Sequence, residues 1–389
     1  MRVAFLFNHA VSHQVPHAAP FAYVLSREHP ELEVIIACSS REELDFAREI
    51  ATLYPGQRCT LLLLPLPWAV KLFDPLVSLW SFRRKQAVLL HNLDFFRSLD
   101  ALVSPEVHCV KLRRETGLEK LRMIRVRHGA GDRDGVFDER LLAFDYMLLP
   151  GQKYVDRLQQ QDLLPEQGYA LSGYPKFEVV QGLTRPRPQL FANDRPVVVY
   201  NPHFDQTQSS WRRMGVQVLD YFLSHPEYNL IFAPHVVLFT RRLRHGAFLP
   251  RKYWHAANIH VDLGSSASLD MTYLQAADIY LGDVSSQVYE FLLNPRPCIF
   301  LNSHGLNWQD NPAYVHWQLG QVVDTVQPGL HAALQQAQAL QAGFLPRQQA
   351  AFAYTFSSEA NLTAAERGAR AIAAFLTRKS AAPAAIREL

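Results

Sequence analysis

Short apolar runs alternate with amphipathic, helix-like stretches along the whole chain. In the first half, strand-like runs occupy residues 2–8, 33–38, 59–64 and 145–149. A second series occupies residues 197–201, 229–233, 258–262, 278–282 and 297–302. Short apolar runs separated by helical patterns predict βαβ units, so the chain is expected to be an α/β protein with parallel sheets.

A proline- and arginine-rich interval, residues 184–196, separates the two series of runs. A chain of 389 residues is long enough for two domains that each bury a core. We expect one Rossmann-like domain at residues 1–185 and a second at 196–360, with a helix at 361–380 that packs back on the first. Two doubly wound domains facing one cleft would bind ligands in the loops that follow the strands.

The composition narrows the class of protein. Hydrophobic residues make up 48% and charged residues 19%, which is typical of a globular chain. A net charge of +3 is too small to indicate nucleic-acid binding. Cys38, Cys59, Cys109 and Cys298 have no paired spacing and are expected to be buried thiols. The N-terminal apolar run is too short for a signal peptide, so we expect a first strand and a cytoplasmic location.

The segment Leu61–Lys85 combines aromatic residues with a basic end. Prolines interrupt it, and the sequence has no stretch of about 20 apolar residues that could cross a membrane. Trp68 and Trp80 beside the basic residues 83–85 are typical of a helix that lies in a membrane interface. The alternative is a buried helix of the first domain with a solvated basic end.

The clearest local pattern is at residues 277–302, where a strand ends at Gly282 and Ser285 and Ser286 open a helix. The N–H groups of a helix start and two hydroxyls form a cradle for phosphate. The alternative is that Asp283 or Ser285 only caps the helix and that Glu290 has no chemical role.

Another strand-like run ends at Arg127, His128 and Gly129. A histidine titrates near neutral pH, so His128 at a strand end can accept a proton from a hydroxyl. Gly129 would let the backbone approach a ligand closely. The alternative is a polar surface turn.

Two further loops follow strands of the second domain. His235 ends the run at 231–235, and an imidazole there can bind the oxygens of a leaving group. Asn201 and His203 begin a loop rich in hydrogen-bonding groups. Capping or core roles are the alternatives for these residues.

His9, His13 and His17 recur at a spacing of four residues near the N-terminus. On a helix they would form one metal-binding face, but Pro16 and Pro20 argue against a regular helix, and we expect an acceptor-side loop without metal. No GxGxxG or Walker-type loop follows the first strand, so neither ATP nor NAD is expected as a cofactor.

Six motifs occur in an order that resembles the CDP-glycerol glycerophosphotransferases of teichoic acid and capsule synthesis, which have a GT-B, glycosyltransferase-like fold. The motifs are RHG (127–129), FDYMLLPG (144–151), SGYPKFE (172–178), YNPHFD (200–205), APH (233–235) and ADIYLGDVSSQVYEFLLNPRPCIF (277–300). The resemblance implies that His128 is a general base, that His235 binds donor phosphates, and that Asp283, Ser285 and Ser286 open the donor-site helix.

The resemblance implies a transferase that moves glycerol phosphate or a sugar from a nucleotide-activated donor to a lipid-linked or polysaccharide acceptor of the cell envelope. The first domain would then be the acceptor side and the second the donor side, with contact to a membrane through Leu61–Lys85. Two alternatives stay open: a glycosyltransferase that uses a UDP-, CMP- or GDP-sugar, and a non-catalytic carbohydrate- or lipid-binding subunit with this fold.

Overall fold

The structure is a computed structural model that describes residues 1–67, 81–132, 137–183, 188–240 and 248–378. In these ranges the strands are β1 Arg2–Phe7, β2 Glu33–Cys38, β3 Thr60–Leu63, β4 Ala101–Ser104, β5 Arg122–Val126, β6 Tyr146–Leu149, β7 Tyr169–Leu171, β8 Val197–Asn201, β9 Asn229–Phe232, β10 Ile259–Val261, β11 Ile279–Gly282, β12 Cys298–Leu301 and β13 Gln321–Val323.

The α-helices of the described ranges are α1 Ala19–Glu28, α2 Arg41–Ala51, α3 Ser81–His91, α4 Leu93–Arg97, α5 Gln152–Gln160, α6 Lys176–Gly182, α7 Val216–Ser224, α8 Val236–Thr240, α9 Thr272–Ala276, α10 Gln287–Phe291, α11 His331–Thr355 and α12 Ala364–Thr377. Short 3₁₀ segments, among them Ser12–His17 and Pro312–Leu319, complete the connections that matter for the site.

The chain divides into two compact units. The first unit comprises Met1–His128, Gly135–Thr184 and Ala353–Leu389, and the second comprises Gly129–Asp134 and Arg185–Phe352. Two short segments belong to a different unit from the one that the sequence-based boundaries predict. The glycine-containing segment after His128 belongs to the second unit, and the end of α11 belongs to the first.

The first unit is built on a seven-stranded parallel sheet in the order β3-β2-β1-β4-β5-β6-β7. The internal strand β1 is buried on both faces: Val3, Phe5 and Phe7 pack in the cluster that contains residues of α1, α2 and α12, whereas Ala4 and Leu6 pack in a second cluster on the other side. A strand buried on both faces reads as a continuous apolar run, which is why β1 could be predicted.

Helix α12 belongs to the core of the first unit. Thr363 and Glu366 form a capping box at its start, and the helix packs along α1. Phe375 stacks on Tyr146 with ring centroids 4.7 Å apart. The last described helix therefore covers apolar surface of the first sheet.

The second unit contains a six-stranded parallel sheet in the order β10-β9-β8-β11-β12-β13. Val198, Leu230, Ile279 and Ile299 of neighbouring strands share one core cluster with residues of α7 and α11. This strand order is the one typical of doubly wound, dinucleotide-binding sheets. Strands β4, β7 and β13 were not among the predicted runs.

The basic end of the segment Leu61–Lys85 is buried in the first unit. Arg84 donates to the carbonyl oxygen and to the hydroxyl of Ser39, at 2.8 and 3.1 Å, and Lys85 forms an ion pair with Glu106. Both cations are less than a tenth exposed, so the solvated basic end of the alternative interpretation is wrong for Arg84 and Lys85. Residues 68–80 of the membrane-interface prediction, like residues 184–187 of the predicted linker, lie outside the described residues.

Among the helices of the described part of the chain, none has the length and apolar character needed to cross a membrane. The cysteines are free thiols, with Cys38, Cys109 and Cys298 buried and Cys59 half-buried.

Candidate functional site

The strand order of the second unit determines which loops meet. β8 pairs with β9 on one side and with β11 on the other, so the connections from β8 and β11 lead in opposite directions. Ligands of open parallel sheets bind at the carboxyl ends of the strands at such a reversal. Asn201 ends β8, pairs with Gly282, and Gly282 ends β11. The loops 202–210 and 283–286 therefore begin side by side.

Asp283 joins these two loops from a fully buried position. Its Oδ1 accepts hydrogen bonds from the backbone N–H groups of His203 and Val284, at 2.9 and 2.7 Å. Its Oδ2 accepts from the backbone N–H and the hydroxyl of Ser210, at 2.6 and 2.7 Å. Burial raises the pKa of Asp283, while these hydrogen bonds act to lower it. Both oxygens accept from protein donors, so Asp283 positions the two loops, and its role toward a donor stays a prediction.

His203 and His235 lie together at the ends of β8 and β9. Their ring centroids are 5.4 Å apart, and the backbone N–H of His235 donates to the backbone carbonyl of Pro202 at 3.0 Å. Nδ1 of His203 accepts from the N–H of Asp205, and Nδ1 of His235 accepts from the N–H of Val237. Because a neutral imidazole carries one proton, that proton is on Nε2 in both rings. Nε2 is thus the nitrogen through which each ring can donate a hydrogen bond.

Asn201 and Gly282 shape this edge of the sheet. The Asn201 amide donates to the carbonyl of Ala233 at 2.6 Å, which ties the end of β8 to the end of β9. A Cβ at Gly282 would lie 2.7 Å from the Tyr280 hydroxyl, so only glycine fits here. Both residues thus have a structural role at this edge, and their predicted contact with the donor stays a prediction.

The two serines follow Asp283 on a half-buried turn. Ser285 Oγ accepts from the N–H of Gln287 at 3.3 Å, the capping role that sequence reasoning left open. The helix that follows them, α10, has five residues. Glu290 is buried within α10.

A buried network that sequence reasoning missed supports the serine turn. The imidazole of His316 donates from Nε2 to the carbonyl oxygen of Asp283 at 3.0 Å, and the Trp317 indole donates to the same oxygen at 2.8 Å. Nδ1 of His316 lies 3.3 Å from the carboxylate of Asp132, which also accepts from the Tyr289 hydroxyl at 2.6 Å. No local pattern relates these residues, since more than 150 positions separate Asp132 from Tyr289.

The segment that Asp132 holds contains two glycines. Gly129 has a φ of +74°, in the left-handed region that favours glycine. A Cβ at Gly131 would lie 3.4 Å from the Cβ of Ser286. Gly129 was expected on the acceptor side, but its contacts group it with Ser286 of the second unit.

A histidine cluster lies at the carboxyl ends of β1 and β5 in the first unit. The ring centroids of His9 and His13 are 4.3 Å apart, and those of His13 and His17 are each 6.3 Å from that of His128. Gln14 reaches the same place, with its Nε2 3.3 Å from Nε2 of His128. The structure thus brings the three predicted N-terminal histidines to the predicted base.

Burial and neighbouring cations keep these imidazoles neutral. Burial lowers the pKa of His9 to about 4, with Lys85 as the next cause. Burial also lowers the pKa values of His13, His17 and His128 well below the ordinary value, and for His128 the nearby Arg125 acts in the same direction. Neutral rings at neutral pH are able to accept a proton.

The charge of Arg127 lowers the pKa of His128, and its side chain packs on aromatic rings. Its guanidinium lies over the rings of Phe137 and Tyr154, at 4.8 and 4.9 Å from the centroids. Burial lowers the pKa of Arg127. Arg127 thus packs on aromatic rings, and its predicted role toward an acceptor stays a prediction.

Two other features of the described residues bear on the site. No group of three or more His, Cys, Asp or Glu side chains within them is arranged to hold a metal ion. A groove of roughly 630 Å³ runs beside α7 and is lined by residues such as Arg213, Asp220 and Asp324. None of the sequence-predicted site residues lines this groove, so it is not part of the candidate site.

Comparison with known proteins identifies the fold. No family model matches the sequence, and no curated protein matches it. A variant of the wall teichoic acid polymerase TagF soaked with CDPG is similar with a TM-score of 0.59 and 14% identity, over 96% of this chain and 87% of that one.

Nucleotide-sugar epimerases are similar too. The UDP-GlcNAc 2-epimerase of Neisseria meningitidis bound to UDP-GlcNAc has a TM-score of 0.53 and 11% identity, over 97% of this chain and 99% of that one. MnaA of S. aureus with UDP has a TM-score of 0.54 and 10% identity, over 96% and 95%. These likenesses establish the fold, and the α/β, GT-B-like class with two doubly wound sheets is confirmed.

Proposed function

We propose that the protein transfers glycerol phosphate or a sugar from a nucleotide-activated donor to a cell-surface polysaccharide or lipid-linked acceptor. The observation that carries this proposal is that the loops after β8 and β11 begin side by side at the reversal point of the second sheet, with His203 against His235 in the first and Ser285 and Ser286 in the second. Two Nε2–H groups and two hydroxyls suit the oxygens of a diphosphate. Similar structures were solved with CDPG, UDP-GlcNAc and UDP, which supports a nucleotide donor.

In the proposed reaction the second unit binds the donor diphosphate and His128 takes the proton of an acceptor hydroxyl. The acceptor oxygen bonds to the phosphorus that carries the glycerol, and the bond from that phosphorus to the bridging oxygen breaks, which releases a nucleoside monophosphate. Positioning and charge stabilisation supply most of the rate in such transfers. The location proposed with this reaction is the inner face of the cytoplasmic membrane, because the sequence of residues 61–85 is rich in aromatic and aliphatic residues.

A glycosyltransferase is the second candidate, since two of the similar structures hold UDP-GlcNAc or UDP. In that reaction the acceptor oxygen bonds to the anomeric carbon and a nucleoside diphosphate leaves. The same loops would hold the diphosphate in both cases, so the distinction lies in the nucleotide and the transferred group.

Thermal unfolding with a panel of donors tests the proposal. A donor present at about 100 times its Kd stabilises the folded state by about 2.7 kcal/mol. We expect CDP-glycerol to raise the Tm more than UDP-, CMP- or GDP-sugars. Protection by one nucleotide sugar alone would favour the glycosyltransferase, and protection without transfer of any donor would indicate a binding subunit.

His128→Ala tests the assignment of the base. We expect the variant to keep the donor-induced rise in Tm and to lose transfer by about 10²- to 10⁴-fold, the usual contribution of a general base. His255→Ala, at an exposed histidine of the second unit, serves as the control. Loss of donor binding with residual turnover would contradict the role given to His128.

A further inference from the structure

The segment that precedes β10 exposes two aromatic side chains. Phe248 is 76% exposed and Trp254 is 48% exposed, and these are the highest exposed fractions among the large hydrophobic side chains of the described residues. Single exposed apolar residues are common on protein surfaces, whereas exposed apolar residues that lie together mark a surface that binds a partner. The position of the two rings on the fold therefore decides what they indicate.

The core of the second unit holds this segment in place. Arg251–His255 form a 3₁₀ turn, in which Tyr253 is fully buried in the cluster that contains residues of α7. In a 3₁₀ helix, side chains three positions apart lie on the same side, so the side chain of residue 251 lies on the side of Trp254. Phe248 comes three residues before this turn, so its Cα is at most about 11 Å from that of residue 251. The two rings thus belong to one patch on an anchored segment.

The charge of this patch is positive. Residues 248–258 contain Arg251 and Lys252 and no acidic residue. Lys252 forms an ion pair with Asp220 of α7, which balances its charge, and Arg251 is exposed. The sequence before the patch has three more arginines, which lie outside the described residues: Arg241, Arg242 and Arg244. Arg251 therefore gives the described patch a net positive charge.

The size and charge of the patch favour a lipid surface over a protein partner. Each partner of a stable protein complex buries about 800 Å², whereas two partly exposed aromatic rings supply about 300 Å². A bilayer interface does not require such an area. Aromatic rings insert at the level of the headgroups, and basic side chains beside them are attracted to anionic lipids.

We propose that Phe248, Arg251 and Trp254 form a surface by which the second unit binds the headgroup region of an anionic lipid bilayer. The two rings enter between the headgroups, and the guanidinium of Arg251 pairs with lipid phosphate. The inference goes beyond the proposed reaction, because binding to a bilayer requires neither donor nor acceptor. It also concerns residues other than 61–85, from which the membrane location was proposed.

Sedimentation of the full chain with lipid vesicles tests the inference. We expect wild type to bind vesicles of phosphatidylcholine and phosphatidylglycerol about 5- to 25-fold more tightly than vesicles of phosphatidylcholine alone, the effect of one or two basic residues. High salt should remove this preference, because ions screen exposed charges. Phe248→Ser/Trp254→Ser should weaken binding to the anionic vesicles at least about 10-fold, because the apolar rings are lost. Arg251→Ala should weaken it about fivefold.

Leu340→Ser and Arg347→Ala, at exposed residues of α11 in the same unit, are the matched controls and should bind vesicles as wild type does. Because every changed side chain is exposed, all variants should keep the wild-type Tm. The inference is overturned if wild type binds no vesicles, or if Phe248→Ser/Trp254→Ser binds them as tightly as wild type.

Fluorescence locates the contact even if the double variant does not fold. Brominated lipids quench a tryptophan that enters the bilayer interface, so we expect less quenching in Trp254→Phe than in wild type, and equal quenching would overturn the inference. Sedimentation velocity without lipid tests the other occupant. Self-association of wild type that disappears in Arg251→Ala or in Trp254→Phe would assign the patch to a second copy of the chain and would also overturn the inference.

Discussion

Two buried carboxylates, Glu43 and Asp283, each hold the loop that follows the first strand of their sheet. Glu43 accepts from the N–H groups of His9 and Ala10 on Oε1, as Asp283 accepts from His203 and Ser210. Burial raises the pKa of both carboxyl groups, and hydrogen bonds act against this rise. In each unit the buried carboxylate accepts hydrogen bonds from backbone N–H groups of a loop that contains predicted site residues.

Asp283→Ala tests the positioning role. Removing the carboxylate leaves the N–H groups of His203 and Ser210 buried without an acceptor, so we expect the free energy of unfolding to fall by about 2–4 kcal/mol. Urea unfolding measures the change. Asp310→Ala, at an exposed carboxylate of the same unit, should change it by less than about 0.5 kcal/mol. An unchanged unfolding midpoint together with loss of donor binding would mean that Asp283 is a ligand after all.

Individual roles could be predicted only in part from the sequence. His203, His235, Ser285 and Ser286 stand at strand ends, and this placement is readable from apolar runs. The pairing of Asp132 with Tyr289, or of Gln14 with His128, depends on the tertiary arrangement and leaves no local signal. The structural roles of Asn201 and Arg127 were missed for the same reason.

Two helical glycines show how packing decides the effect of the same residue type. Gly343 lies in α11, is exposed, and has open space where a Cβ would be. Gly368 lies in α12, where a Cβ would overlap the buried ring of Phe21 in α1. Glycine in a helix interior costs stability, but at Gly368 it allows the close approach of the two helices.

We expect alanine substitutions at these two sites to have opposite signs. Gly343→Ala should raise the free energy of unfolding by about 0.5–1 kcal/mol, because alanine has the higher helix propensity. Gly368→Ala should lower it by about 1–3 kcal/mol, because the added methyl group overpacks the contact with Phe21. Urea unfolding of both variants and wild type compares them, and stabilisation by Gly368→Ala would show that α1 and α12 can separate without loss.

The elements could be predicted where they are buried on both faces. Strands such as β1, β8 and β11 are continuous apolar runs in the sequence. β7 and β13 have three residues each, too few to form a periodic pattern.

The two units are interleaved along the chain. The first unit needs residues 353–378 to complete its core, since Ile372 and Phe375 of α12 pack in the same cluster as Phe21. The second unit needs residues 129–134, which bring Asp132 to His316. The sequence pattern predicts the two sheets. It does not predict that residues 129–134 belong to the second unit, because so short a segment has no hydrophobic periodicity.

A fragment of residues 1–183 should therefore be less stable than the same fragment joined to residues 353–378 by a flexible glycine–serine linker. The longer fragment recovers the contact of α12 with α1 and the stacking of Phe375 on Tyr146. Circular dichroism during urea unfolding compares the two fragments. Equal midpoints would mean that α12 contributes little to the core.

Residues 129–134 belong to the second unit but lie in sequence within the first, and this limits how relatives of this protein could be recombined. A chimera that takes its whole second unit from another parent needs two inserts, 129–134 and 185–352, and so four junctions. A single splice at residue 185 would leave the aspartate of one parent facing the histidine and tyrosine of the other. Gene fusions with one breakpoint are thus expected to lose the polar contacts under the serine turn.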